Sequence, residues 1–387
     1  PRPALSAGLE LAREWADAYL QSPTCPIAVP VKWSRLSTVT ALARGVLGKA
    51  GTMMDDDDTR HLSTLLIQCV LGGLPPSGRD APLDPASNVR IVPLVGPPTA
   101  ESDVEPNTVW LDTTVPPALA RAPVTATAVA LFDVSLQVSP GGTGTAEAVD
   151  NAVWSLDAAE KAALQRLANQ LLRAGVGVVA SQKLIHPWLQ EYLVDHGVLP
   201  LHRLSIRHIG AMARVTGAVP LSSWAVEPPT SALGWISRID ARKRLGRTYM
   251  CVAGPPPGAA STPTDDAATR AASRAEPVVT LRLHSPTAFA LEELRTVCES
   301  ALKVLGASLR TPVALPGGGC PEAHLQRHLH AAADAYLKAP TPADSVRELR
   351  PCDVHAVCTT VADCFGDLAA DLMCASGVAA AEAVAAL

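Results

Sequence analysis

The sequence contains no run of lysine and arginine, and its formal net charge is -5 with a pI near 6.1. Without a basic stripe there is no electrostatic footprint for nucleic acid. It also lacks a CxxC pair: nine cysteines, an odd number, are scattered from Cys25 to Cys374. That usage suits reduced thiols in an intracellular compartment. No basic-then-apolar leader opens the chain, and no apolar stretch is long enough to cross a bilayer, so secretion and membrane insertion are both disfavoured. The first residue is Pro1, the mark of a processed start or of a fragment of a longer chain.

What is present is enough apolar residue to build cores. With 387 residues and 48% hydrophobic content, the chain is globular and long enough for two or three domains. The opening segment has helical spacing, with Leu5, Leu9, Ala12, Ala16 and Tyr19 expected on one buried face. Asp55 to Asp58 precede a stripe of Leu62, Leu65, Leu66 and Cys69; at a helix start, four aspartates serve as cap and dipole partners, and no EF-hand spacing follows. The polar, proline-rich residues 73–88 mark a boundary. "VRIVPLVG", "TVWLDTTV" and "ATAVALFDVSLQV" read as strands.

The central third alternates helix and strand, which predicts an α/β layer with a mostly parallel sheet. Leu164, Leu167 and Leu171 line a helix capped by Ser155 or Asp157; "VGVVASQ" is a buried strand; Pro187 opens a helix that stops at Gly197. The Pro, Gly and Ala rich insert 254–277 is expected to be disordered. Ser285 and Pro286 then start a long helix with Leu291, Leu294, Cys298, Ala301 and Leu305 as its buried seam.

Motifs for chemistry are few. "VALPGGGCPEAHL" puts Gly317, Gly318 and Gly319 before a helix, which fits either a phosphate cradle or a tight turn. His324 and His328 are four apart but lack the glutamate of a zinc protease helix, so they read as an exposed pair. Cys352, Cys358 and Cys364 rotate around a helix instead of converging on a metal. Ser181, His186 and Asp195 have no nucleophile elbow. No metal site is expected.

The order of parts carries a resemblance. "GVGVVASQKLIHPWLQEYLVDHGVLPLHRL" followed by "IGAMARVTGAVPL" resembles the apical domain of group II chaperonins of the TCP-1/CCT type. "TLRLHSPTAFALEELRTVCESALKVLGASLRTPVALPGGGCPEAHL" resembles their descent into the equatorial Gly-Gly-Gly loop. The implied fold is mixed α/β and α multidomain: an equatorial-like helical segment 1–88, an intermediate segment 89–118, an apical-like α/β domain 119–278, a second intermediate segment 279–315 and a second equatorial-like segment 316–387, with the equatorial parts incomplete. The same resemblance places Ser300 where the family has its catalytic aspartate, and a hydroxyl cannot act as that base. The Gly-Asp-Gly-Thr phosphate motif is absent, and only "SPGGTGTAEAVDNAVW" occupies the place of the lid protrusion.

Residues 317–319 are therefore expected to be a vestigial nucleotide loop, with no bound cofactor unless a longer chain completes the ATP site. The likeness to a divergent branch of the family implies a non-enzymatic assembly factor in the cytoplasm, at the centrosome and basal body. Its implied partners are other chaperonin-like ciliopathy proteins, cytosolic ring chaperonin subunits and subunits of the BBSome, a ciliary coat complex. Helices containing Trp188, Leu189, Tyr192 and Met212 are expected to form the partner-binding surface. The alternative is an ATP-dependent chaperone for unfolded proteins.

Overall fold

The computed structural model describes residues 2–22, 25–50, 54–74, 88–137, 158–224, 228–255, 267–338 and 350–377. The helices are α1 (Arg2–Gln21), α2 (Leu36–Leu47), α3 (Asp56–Gly72), α4 (Pro117–Arg121), α5 (Ala158–Arg173), α6 (Pro187–Asp195), α7 (Ile206–Thr216), α8 (Ala267–Arg274), α9 (Ala288–Arg310), α10 (Cys320–Lys338) and α11 (Pro351–Ala375). The strands are β1 (Val29–Pro30), β2 (Val89–Val95), β3 (Asp103–Pro106), β4 (Thr108–Leu111), β5 (Val124–Phe132), β6 (Val176–Ser181), β7 (Leu199–Leu201), β8 (Gly234–Arg244), β9 (Arg247–Ala253), β10 (Val279–Ser285) and β11 (Val313–Ala314). They form two compact units, residues 1–34 with 311–387 and residues 35–310.

The smaller unit is helical. Ala12 of α1, Leu329 and Ala333 of α10 and Val354, Cys358 and Ala362 of α11 make its buried core. Leu5 and Leu9, expected to face inward, are half exposed at 51% and 49%. The helix is rotated by its small residues: a Cβ on Gly8 would lie 2.7 Å from Val357, so only glycine lets α1 approach α11 this closely. A two-residue antiparallel pairing of β1 with β11 completes the unit.

The larger unit holds two sheets. One has the order β2-β10-β3, with β10 parallel to β2 and antiparallel to β3. Helix α9 packs on β2, α2 and α3, and its seam of Leu291, Leu294, Cys298, Ala301 and Leu305 is buried as the spacing predicts. The cap differs from expectation. Ser285 is the last residue of β10, paired with Val95 and buried, whereas Thr287 Oγ1 accepts from Ala290 N at 3.2 Å. Asp55 does cap α3, its carboxylate accepting from Asp58 N at 2.7 Å.

The second sheet has six strands in the order β4-β9-β8-β5-β6-β7. Only β5, β6 and β7 run parallel; β8, β9 and β4 are antiparallel, so the expected mostly parallel sheet is mixed. The antiparallel half follows from the β8–β9 hairpin, whose tip residues Leu245 and Gly246 both have positive φ, +48° and +79°. Alternation along β5 separates two cores: Val129 and Leu131 join one, and Ala128, Ala130 and Phe132 join the other.

Part of the insert expected to be disordered is ordered helix. In α8, Ala271 is fully buried, and Arg274 donates to Gly217 O at 2.9 Å and Leu233 O at 2.6 Å. Small side chains permit the contact, since a Cβ on Gly217 would sit 2.2 Å from Ala271 O. Ser155, Asp157, the residues in the place of the lid protrusion and most of the 73–88 connection lie outside the described residues.

Candidate functional site

The glycine loop shows what its backbone requires. Gly318 and Gly319 have φ of +74° and +84°, conformations that cost a residue with a Cβ about 1–2 kcal/mol. A Cβ on Gly319 would also lie 3.3 Å from Ala369 Cα, whereas Gly317 has open space and no positive φ. The fold thus explains two of the three glycines. Ser300 belongs to the larger unit and the glycines to the smaller. Its hydroxyl is engaged in its own helix, donating to Thr296 O at 2.9 Å. The adjacent Glu299 is exposed and pairs with Arg295 at 3.0 Å.

The remaining candidates for chemistry are accounted for locally. Ser181 is buried and donates to Val134 O at 2.8 Å, while His186 accepts Trp188 N as the cap of α6. His324 and His328, expected to be exposed, are half-buried around Tyr19: His324 Nδ1 lies 3.2 Å from its hydroxyl and His328 stacks on its ring at 4.3 Å. Cys358 is a core thiol against Gly8 O, and Cys352 and Cys364 are exposed. Among the described residues no group of three His, Cys, Asp or Glu is placed to hold a metal.

The expected partner-binding residues do not form one surface. Leu189 is fully buried in one core of the six-stranded sheet and Met212 is fully buried in the other, so neither reaches solvent. The reason lies in their helices: α6 and α7 each turn their apolar stripe toward the sheet. Trp188 and Tyr192 are half-buried on α6, stacked at 5.2 Å, with Tyr192 donating to Asn169 Oδ1 at 3.2 Å and Lys161 Nζ 5.5 Å from the Trp188 ring. Their rings glue α6 to α5.

The other side of α6 is open. Gln190, Glu191, Val194 and Asp195 line a cleft of about 630 Å³ together with residues 113–118, Arg121 and residues 199–204. Val194 is half exposed there, whereas Leu199, Leu201 and Leu204 are buried beneath it. Glu191 and Asp195 bring negative charge to its lining, and Arg121 and Arg203 bring positive charge.

Two local features build this cleft. Pro116 and Pro117 start the short α4, which lays its backbone against β8 and leaves Ala118 and Arg121 facing the cleft. Strand β7 is the edge of the sheet, and Pro200 within it removes a donor from that edge, which blunts strand addition. Arg203 has φ of +55°, an uncommon conformation for a residue with a side chain, and its N donates to Lys183 O at 2.9 Å. The lining thus combines aliphatic side chains with charges of both signs. The sequence signal was Val194, an aliphatic side chain outside the Leu189 and Leu193 stripe of α6.

The profile of the TCP-1/cpn60 chaperonin family matches residues 2–387. Among curated proteins, the human molecular chaperone MKKS is 27% identical over 329 residues, covering 83% of this chain and 54% of that protein. Its mouse counterpart is 28% identical over 330 residues, again 83% and 54%. Thermosome subunit 1 of Haloferax volcanii is 25% identical over 338 residues, 86% of this chain and 54% of that protein. The chain thus spans about half the length of the curated relatives it matches. In fold it is similar to an open-state monomer of a group II chaperonin from Methanococcoides burtonii, with a TM-score of 0.62, 16% identity and coverage of 100% of this chain and 80% of that one.

Proposed function

Because this chain belongs to the TCP-1/cpn60 chaperonin family, we propose that it is a chaperonin-like assembly factor that holds segments of partner proteins in the cleft between α6, β7 and residues 113–121. The observation that carries this reading is the cleft itself, in which the exposed Val194 lies among side chains of both charges, Glu191 and Asp195 with Arg121 and Arg203. Such a surface captures an amphipathic segment and releases it without bond chemistry. In this reading it works without ATP hydrolysis, since Ser300 carries no fixed charge and spends its hydroxyl on Thr296 O. The partners proposed are other chaperonin-like proteins, the cytosolic ring chaperonin and BBSome subunits, at the centrosome and basal body.

A second reading, an ATP-driven chaperone, is favoured by one detail. Gly317 is required neither by its φ nor by a neighbour, as expected where a backbone must approach a ligand.

The test uses the longest natural form of the chain with a chemically unfolded reporter enzyme, whose aggregation is followed by light scattering with and without ATP and Mg²⁺. Suppression should be the same in both conditions. Val194→Asp should abolish it at unchanged melting temperature, whereas Leu189→Ala should lower the melting temperature, since a fully buried Leu contributes about 2–5 kcal/mol. Suppression untouched by Val194→Asp would sink the cleft; suppression only with ATP would establish the second reading. Co-precipitation of BBSome subunits by wild type but not by Val194→Asp would place the assembly role on the same site.

A further inference from the structure

The β8–β9 hairpin extends past its neighbours. Pairing of β5 with β8 ends at Ile239 and pairing of β4 with β9 ends at Met250, so the rungs Arg242↔Tyr249, Lys243↔Thr248 and Arg244↔Arg247 have no strand beside them among the described residues. This projecting ribbon is basic, with Lys243, Arg244 and Arg247 all exposed in a chain whose net charge is -5. At its tip Leu245 adopts φ of +48° and is 52% exposed. Asn, Asp or Gly would satisfy that turn at lower cost, so an aliphatic residue there breaks the local backbone rule. Exceptions of this kind concentrate at functional sites.

Beneath the tip is a cleft of about 280 Å³. It is lined by Leu94 and Val95 from the end of β2, by Arg244, Leu245 and Arg247 from the ribbon, and by Leu291 at the start of α9. Val95 is 46% exposed, so the apolar lining continues to the surface. One carboxylate, Glu292, also lines the cleft, with Arg295 3.8 Å away, and Asp112 lies 3.8 Å from Arg247. Among the described residues no carboxylate pairs with Lys243 or Arg244.

We propose that the ribbon tip, residues 243–247, and this cleft form a docking surface for an acidic partner segment that carries aliphatic side chains. It shares no lining residue with the cleft at β7, so it stands apart from the function proposed above. Carboxylates of the partner meet Lys243 and Arg244, with Arg247, in its exposed contact with Asp112, beside them, and its aliphatic groups cover Leu245 and Val95. Nucleic acid fits less well, because the lining is aliphatic and Tyr249, the aromatic of the cleft, is buried at 3% exposure.

The test is fluorescence anisotropy with the full chain and a short labelled peptide alternating Glu and Leu, compared with the same peptide carrying Gln for Glu or Ser for Leu. The Glu/Leu peptide should bind, and tighter than either control by about tenfold, with affinity falling as salt rises. The double variant Lys243→Glu/Arg244→Glu should lose at least tenfold, while Arg244→Lys retains binding. Leu245→Ser should cost a few-fold at unchanged melting temperature, since the side chain lies at an exposed tip. Equal binding by the charge-reversed variant, equal binding of the Gln/Leu peptide, or preferential binding of an RNA oligonucleotide or of anionic phospholipid vesicles would each overturn the proposal.

Discussion

Glu105 joins three side chains of two sheets, so its loss should be costly. It lies on β3, where one carboxylate oxygen accepts the indole N–H of Trp110 at 2.8 Å and the other accepts Arg242 Nη1 at 2.7 Å, with Arg282 Nη1 3.8 Å away. Trp110 is 1% exposed, and both guanidinium groups lie over its ring, at 5.7 Å and 5.0 Å. Glu105→Ala leaves the indole donor buried without a partner, at about 1–3 kcal/mol. It also leaves two cations flanking one ring. Their side chains are 33% and 16% exposed and keep Asp240 and Asp103 as partners, so the lost attraction is discounted to about 1–2 kcal/mol.

The expected total is near 3 kcal/mol, with Glu105→Gln costing less because its amide oxygen still accepts one donor. Urea unfolding of wild type, Glu105→Ala, Arg242→Ala and the double variant measures both the loss and the coupling, and hydrogen exchange of the β3 and β4 amides locates it. A loss below about 0.5 kcal/mol, or single-variant effects that simply add, would refute the account of this network.

Two further outcomes follow from burial and backbone geometry. Burial pushes the thiols of Cys69, Cys251 and Cys298 from 9.0 up to about 12, so between those values the unfolded chain sheds protons that the folded chain keeps. Stability should fall as pH rises above about 9, by about 1.4 kcal/mol per pH unit per thiol; denaturation under reducing conditions checks this, and Cys298→Ala should make the slope shallower by one thiol's share. A flat profile would contradict it. Gly319→Ala should lower stability by about 1–2 kcal/mol through its left-handed backbone and its contact with Ala369. Gly317→Ala should stay within about 0.5 kcal/mol, and equal thermal shifts for the two would show that the turn is not what the glycines serve.

Local signals were legible in the sequence wherever one residue or one stripe decides the outcome. Asp55 caps α3 and the α9 seam is buried, because caps and apolar periodicity act within a turn or two of helix. The "LPGGGCPEAHL" and "TGAVPL" stretches were specific enough to indicate the chaperonin family, which the match over residues 2–387 shows. Tertiary structure decided what depends on several elements meeting. Leu5 and Leu9 face solvent because Gly8 lets α1 turn its small side to Val357, a choice made by the partner helix. Met212 and Leu189 share an apolar character yet lie on opposite faces of one sheet, and the cleft beside Val194 exists only because α4 and an edge strand converge on α6. Residues more than a hundred positions apart, such as Glu105 and Arg242, pair through register between sheets, which no local pattern encodes.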